Sequence, residues 1–230
     1  MPPPRNHLLA RLPADELQAF LPRLTLVPLV PGTTLMASGQ PVATAWFPES
    51  GFVSLIADLG SGARAEVGLA GREGMVGLPL VLGTPNAPHE GMVQHPGEAL
   101  CVGAALFRQS LDELPALRAV LLRYSALLMA QVSQSAACNG RHALPQRLAR
   151  WLLMAHDRVE GDRLPLTQEF LALMLCVHRP SVTVAARTLQ DMGLIRYSGG
   201  AITVLDRARL EAAACSCHAA VKRFADATMV

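Results

Sequence analysis

The densest group of chemically capable side chains is Cys215, Cys217 and His218, which fall within four consecutive positions. Two thiols and an imidazole can bind a metal, and neighbouring thiols can also cycle through oxidation. Three donors leave a tetrahedral shell incomplete, and nothing nearby in the sequence has a spacing that completes it. A metal there would need a further cysteine or a second chain, so the cluster admits an incidental structural, a redox or a metal-binding role. Cys101, Cys138 and Cys176 read as small buried hydrophobes. Five cysteines in all, an odd and small number, fit a reducing cytoplasm better than a disulfide framework.

Enzymatic arrangements are absent from the pattern. Ser50-Gly51 and Ser54 lack a His–Asp pair that the sequence can place beside them. There is no P-loop and no dinucleotide fingerprint, so the chain reads as a non-enzyme. His89 and His95 could serve a haem or another small ligand, although both read first as loop histidines. The competing class is a cupin-like small-ligand or metal-binding sensor without specific DNA binding. Its closely spaced His and Glu ligands are missing here until His89.

Charge points elsewhere. Residues 1–140 carry eight basic and ten acidic side chains, whereas residues 141–230 carry twelve and eight. The balance turns positive in the C-terminal part, which favours nucleic-acid contact there. Only Lys222 is a lysine among 20 basic residues, and arginine is the better ligand for phosphate and guanine. No apolar run reaches the roughly 18 residues of a membrane span. Met1 to Arg11 is Pro-rich without a long apolar stretch. The expectation is a cytoplasmic protein with no membrane association.

The elements that would position such a contact follow in order. Residues 5–24 read as a short helical lead-in, with Pro13-Ala-Asp-Glu16 as a helix start. Between about 25 and 107, turn signals recur about every ten residues around runs such as Phe52-Val-Ser-Leu-Ile56, which predicts an antiparallel sandwich or barrel. Residues 111–138 contain no glycine, and Leu114, Leu117, Leu121, Tyr124 and Leu128 step by 3 and 4. That narrow seam predicts one helix pairing with its copy in a dimer, ended by Asn139-Gly140. Residues 144–158 form a further helix with Leu148, Trp151, Leu152 and Ala155 on one face. Thr167 caps a helix over Gln168–Met174. Leu175-Cys176-Val177 turns the chain, and a second helix runs from near His178 to Gln190 with Pro180 in its first turn. Leu194–Tyr197, Ser198-Gly-Gly200 and Ala201–Val204 then read as strand, turn and strand. Two short helices and a hairpin make a winged helix.

This order of turn-rich sheet, long helix and winged helix resembles the Crp/Fnr family of bacterial transcription regulators over roughly residues 8–210. The strongest local match is Leu166-Thr-Gln-Glu-Phe-Leu171, Cys176-Val-His-Arg-Pro-Ser-Val-Thr183 and Leu189-Gln-Asp-Met-Gly-Leu-Ile195. Gly32-Thr-Thr-Leu35, Glu73-Gly-Met-Val-Gly77 and Gly97-Glu-Ala-Leu100 support it more weakly. The resemblance implies an α+β chain in three parts. Residues 1–110 would be a double-stranded β-helix (jelly-roll) sensor domain of cyclic-nucleotide-binding type, 111–140 a dimerisation helix, and 141–230 a winged helix-turn-helix with a C-terminal tail. It further implies a homodimer on double-stranded DNA with an inverted-repeat operator, and it allows RNA polymerase as a partner.

The family pattern also assigns contacts. Arg179 matches the guanine-reading arginine, whose guanidinium fits O6 and N7 in a bidentate fork. Ser181 matches a phosphate-contacting hydroxyl, with His178 beside it and Thr183 on the same turn. Thr167 and Gln168 would touch backbone at a helix N-terminus. Arg187 and Arg196 rank second for phosphate. Pro180 stands where many relatives have a cytosine-reading Glu, so base preference should differ. The cyclic-nucleotide cassette fails as well: Leu78 replaces its ribose-binding Glu and Glu90 its phosphate-binding Arg, which argues against cAMP. No cysteine precedes Cys101, so the iron–sulfur site of the oxygen-sensing branch cannot be built the same way. The effector and any cofactor stay unassigned.

Overall fold

The computed structural model describes residues 3–60 and 63–229. After a short helix α1 (Ala14–Phe20), seven strands follow: β1 (Thr25–Leu29), β2 (Thr34–Met36), β3 (Thr44–Pro48), β4 (Phe52–Asp58), β5 (Arg64–Ala70), β6 (Glu90–His95) and β7 (Gly97–Gly103). They form two antiparallel sheets, ordered β1-β7-β3 and β2-β6-β4-β5. This is the predicted antiparallel jelly-roll, held inside by Phe20, Phe47 and Phe107 with ring centroids 6.0–6.5 Å apart. The apolar run of β4 is buried on both faces for a simple reason. Its side chains alternate: Val53 and Leu55 point into the roll, while Phe52 and Ile56 pack against the C-terminal helices.

Two helices replace the single one predicted over 111–138. Helix α2 (Ala104–Glu113) ends at Leu114, and α3 (Pro115–Arg141) begins at once. A residue before proline is pushed out of the α region, and Leu114 accordingly has φ −120° and ψ 87°. Proline then starts α3, where its missing N–H costs nothing. The Glu16 carboxylate accepts from the Ala116 and Leu117 N–H groups at 2.9 Å each and caps the new helix.

Asn139-Gly140 does not end α3, which runs on to Arg141. A glycine in a helix costs only about 1 kcal/mol, and here Cys138 is fully buried while Asn139 accepts from Arg147 Nε at 3.1 Å. The seam assigned to a dimer partner is a second correction. Leu114, Leu117, Leu121 and Tyr124 are buried in the chain's own core, with Leu128 packed against it. A different row, again stepping by 3 and 4, is exposed at Ala119, Leu122, Met129, Ser133, Ala136 and Gly140 and half-buried at Ala126.

Helix α4 (Leu144–His156) buries Leu148, Trp151, Leu152 and Ala155, as expected. Strand β8 (Arg163–Pro165), helices α5 (Gln168–Leu175) and α6 (Arg179–Asp191), and strands β9 (Ile195–Ser198) and β10 (Ala201–Val204) complete a winged helix, with sheet order β8-β10-β9. The third strand, β8, was not foreseen. After α7 (Arg207–Ala213), helix α8 (Cys217–Thr228) returns to pack along α3. Its end is tied to the N-terminal segment, where Arg11 Nε donates to the Met229 carbonyl at 2.7 Å.

Glu66 sits where the roll meets α4. It accepts from Ser54 Oγ at 2.7 Å and from Trp151 Nε1 at 2.5 Å. Burial pushes its carboxyl up to about 7, against the pull of those two hydrogen bonds and of Arg158 and Arg150. An unfolded glutamate titrates at about 4.3. The folded chain therefore keeps this proton over a range in which the unfolded chain has lost it. Stability from the group is complete below about pH 4 and drains as pH rises to about 7. Glu66→Gln can preserve both contacts, with the amide oxygen facing Trp151 and its NH2 facing Ser54. It is expected to flatten the fall in stability over that window, read by denaturant titration at stepped pH. An unchanged slope would contradict the assignment.

Candidate nucleic-acid interface

The interface is built by local sequence. Thr167 Oγ1 accepts from the Phe170 N–H at 3.2 Å and starts α5. Cys176 ends α5 in the left-handed region at φ 51°, so the chain turns sharply. This residue is exposed rather than buried, and Cys101 is half-buried. His178 is the N-cap of α6, and Pro180 lies in its first turn. The two helices meet at 100°, within the range of a helix-turn-helix. Leu171 and Met174 of α5 and Val182, Ala185, Ala186 and Leu189 of α6 form the shared core. The wing closes on Gly199-Gly200, whose φ values of 59° and 72° fit the two-residue turn between Ser198 and Ala201.

With that face of α6 buried, the other is left to solvent. His178, Arg179, Ser181 and Thr183 are all exposed. Gln168 joins two of them, since its Oε1 accepts from Arg179 Nε at 3.3 Å and from Thr183 Oγ1 at 3.0 Å. Gln168, Arg179 and Thr183 thus form one constellation. Thr167 is separate, with its hydroxyl spent on the cap, and His178 and Ser181 stand on the rim. Arg187 and Arg196 are also exposed.

Two neighbours escaped the sequence reading. Glu169 Oε1 lies 2.9 Å from Arg179 Nη1 and holds the guanidinium in place. Val184 is 67% exposed on the same helix face, an apolar group of the kind that meets a thymine methyl. Its position was legible, because it complements the buried positions of α6.

The roll carries a second candidate site, a cavity of about 510 Å³ against α3. Leu55, Met75, Leu78, Leu82, Met129 and Val132 are among its lining, which includes no Arg or Lys. His89 reaches it, and burial holds that imidazole below its ordinary pKa, hence neutral. Glu90, expected where a phosphate would sit, is not part of the lining. Its carboxylate pairs with Arg64 and accepts from Thr34 Oγ1 at 2.8 Å. His95 stacks on Phe52 instead, with ring centroids 5.8 Å apart.

The cysteine cluster also differs from expectation. His218 turns away, its Nε2 lying 2.9 Å from Asp157 Oδ2. Cys215 and Cys217 instead meet Cys138 and His142.

Residues 146–213 match the model of the Crp-like helix-turn-helix domain. A search of curated proteins finds no match. Among solved structures, FixK2 from Bradyrhizobium japonicum superposes with a TM-score of 0.71 at 16% identity, over 84% of this chain and 98% of that one. A transcriptional regulator of the Crp/Fnr family from Eubacterium rectale gives 0.70 at 19% identity, over 90% and 96%. The c-di-GMP-responsive global regulator CLP of Xanthomonas campestris gives 0.66 at 18%, over 84% and 100%. The chain carries a Crp-like helix-turn-helix domain and has the fold of the Crp/Fnr transcription regulators.

Proposed function

We propose that this protein is a cytoplasmic, homodimeric transcription regulator that reads DNA with the first turns of α6. The observation that carries the reading is the exposed group Arg179, Ser181 and Thr183 in the first turns of α6, with Gln168 at the start of α5 bonded to two of them. Guanidinium and hydroxyl groups there can reach base edges and phosphates in a major groove. Two copies joined along the outer row of α3 would place two such helices on half-sites about 34 Å apart, which favours an inverted repeat. RNA polymerase is the natural further partner of such a regulator. Among the described residues, no single helix is long and apolar enough to cross a membrane.

The effector reading follows from the cavity. Its apolar wall, lacking any cation, suits an uncharged hydrophobic ligand and offers nothing to neutralise a cyclic phosphate. Met129 and Ser133 belong to both the cavity wall and the outer row of α3. A ligand there would touch the helix through which two copies meet.

Fluorescence anisotropy of the full chain with a labelled duplex tests the core of this reading. Affinity is expected to fall with salt, by about 0.9 in log K per log unit of salt for each phosphate neutralised. Added cAMP should leave the curve unmoved. Salt-independent binding, or no binding to duplex, would count against the function; a cAMP-induced rise in affinity would overturn the effector reading alone.

A further inference from the structure

We propose that Cys138, His142, Cys215 and Cys217 bind one zinc ion, which pins the start of α8 to the last turn of α3. The four donor atoms lie within 4.8 Å of one another. Cys138 Sγ is 3.4 Å from Cys215 Sγ, and Cys217 Sγ is 3.5 Å from His142 Nδ1. Zinc bonds of about 2.3 Å to sulfur and 2.0–2.1 Å to nitrogen imply tetrahedral edges of about 3.4–3.8 Å. The donors therefore already stand close to the spacing that one ion requires. A polynuclear iron–sulfur cluster would spread its thiolates further apart, because they bind different irons.

The fold explains how two distant segments make one site. Cys138 lies in the last turn of α3, and His142 is the C-cap, its N–H donating to the Cys138 carbonyl at 3.0 Å. Cys215 and Cys217 flank Ser216, the N-cap of α8. All three thiols are buried, whereas His218 is committed to Asp157.

Two surrounding groups fit the charge and polarity of such a centre. Gln134 Nε2 lies 3.1 Å from Cys217 Sγ and can donate to a thiolate. Arg150 is 5% exposed, and its buried Nε has no hydrogen-bond partner among the described residues. On binding, three S–H groups release three protons to solvent, three Zn–S bonds and one Zn–N bond form, and nothing is oxidised or reduced. Three thiolates, a neutral imidazole and Zn²⁺ carry a net charge of −1, and the buried cation Arg150 donates to Ser135 Oγ at 2.9 Å, three residues before Cys138 on α3.

The test uses the full chain purified under reducing conditions without chelator. Elemental analysis should find about one zinc per chain. Cys138→Ser, His142→Ala and Cys217→Ser should each reduce it to less than about a tenth, while Cys101→Ser and Cys176→Ser retain it. Should the cluster variants fail to fold, the wild-type apoprotein decides: Co²⁺ should give thiolate-to-cobalt charge-transfer bands and tetrahedral d–d absorption. Absence of zinc together with Co²⁺ spectra lacking those bands would overturn the proposal. So would zinc retained in every variant, or peptide mapping that finds Cys138 and Cys215 already joined as a disulfide. None of these readouts depends on DNA binding.

Discussion

Leu122→Glu and Ala136→Glu are each expected to turn the protein into a monomer and to abolish tight operator binding. Both positions lie on the outer row of α3, where Leu122 is 46% exposed and Ala136 is also exposed. In a two-fold interface each patch meets its own copy, so one added carboxylate brings two like charges together. Such juxtaposition costs several kcal/mol. The small residues of the row, Ala119, Ala126, Ser133, Ala136 and Gly140, let two backbones approach closely, so a long side chain also acts as a wedge. Neither side chain lines the cavity, and exposed substitutions change monomer stability by only about 0.5 kcal/mol. Sedimentation should therefore show half the mass with unchanged circular dichroism. Operator affinity should fall by about 100-fold or more, because one half-site no longer contributes. A dimer that persists in both variants would place the interface elsewhere.

Arg179→Ala should cost about 1–3 kcal/mol per half-site and relax base preference at one position of each. The free protein holds Arg179 against Glu169 and Gln168, with both ionic partners 63% exposed. An exposed pair of that kind is worth up to about 1 kcal/mol. Breaking it on the way to guanine thus takes away less than a bidentate contact returns. Ser181→Ala should behave differently, weakening binding on all sequences without altering preference, as loss of a phosphate contact does. Binding curves for both variants on matched and mismatched duplexes separate the two roles. Unchanged affinity and preference in Arg179→Ala would remove α6 as the reader.

How much of this was readable in advance depended on range along the chain. The winged helix was legible because its signals are local: the Thr167 cap, Pro180 in the first turn, and Gly199-Gly200 in the hairpin. Strand β8 was missed because its pairing with β10 spans a long separation, and three residues carry little periodicity. On α3 the 3-4 step exists on two faces. Periodicity alone could not tell which face is internal. Packing decides it: Leu117, Leu121 and Tyr124 fill the chain's own core, and mostly small residues stay outside, beside Leu122 and Met129. The Leu114-Pro115 break was available from the proline alone.

The site chemistry shows the same limit. Cys215 and Cys217 were noticed, but Cys138 lies 77 positions from Cys215, and only the return of α8 along α3 brings them together. His218 was the adjacent choice, and Asp157 takes it. Glu90 was placed by its order along the chain, and its direction depends on Arg64 across the sheet. The buried Glu66 gave no signal in sequence, since one acidic residue in a strand reads as solvent-facing.

The most direct test of the central claim is selection of duplexes from a random pool by the full-length wild-type chain. The expected outcome is enrichment of an inverted repeat with half-sites one helical turn apart, centre to centre, bound by two copies and lost as salt is raised. Enrichment of no sequence, or of a single half-site by a monomer, would contradict a dimeric regulator that reads DNA through α6.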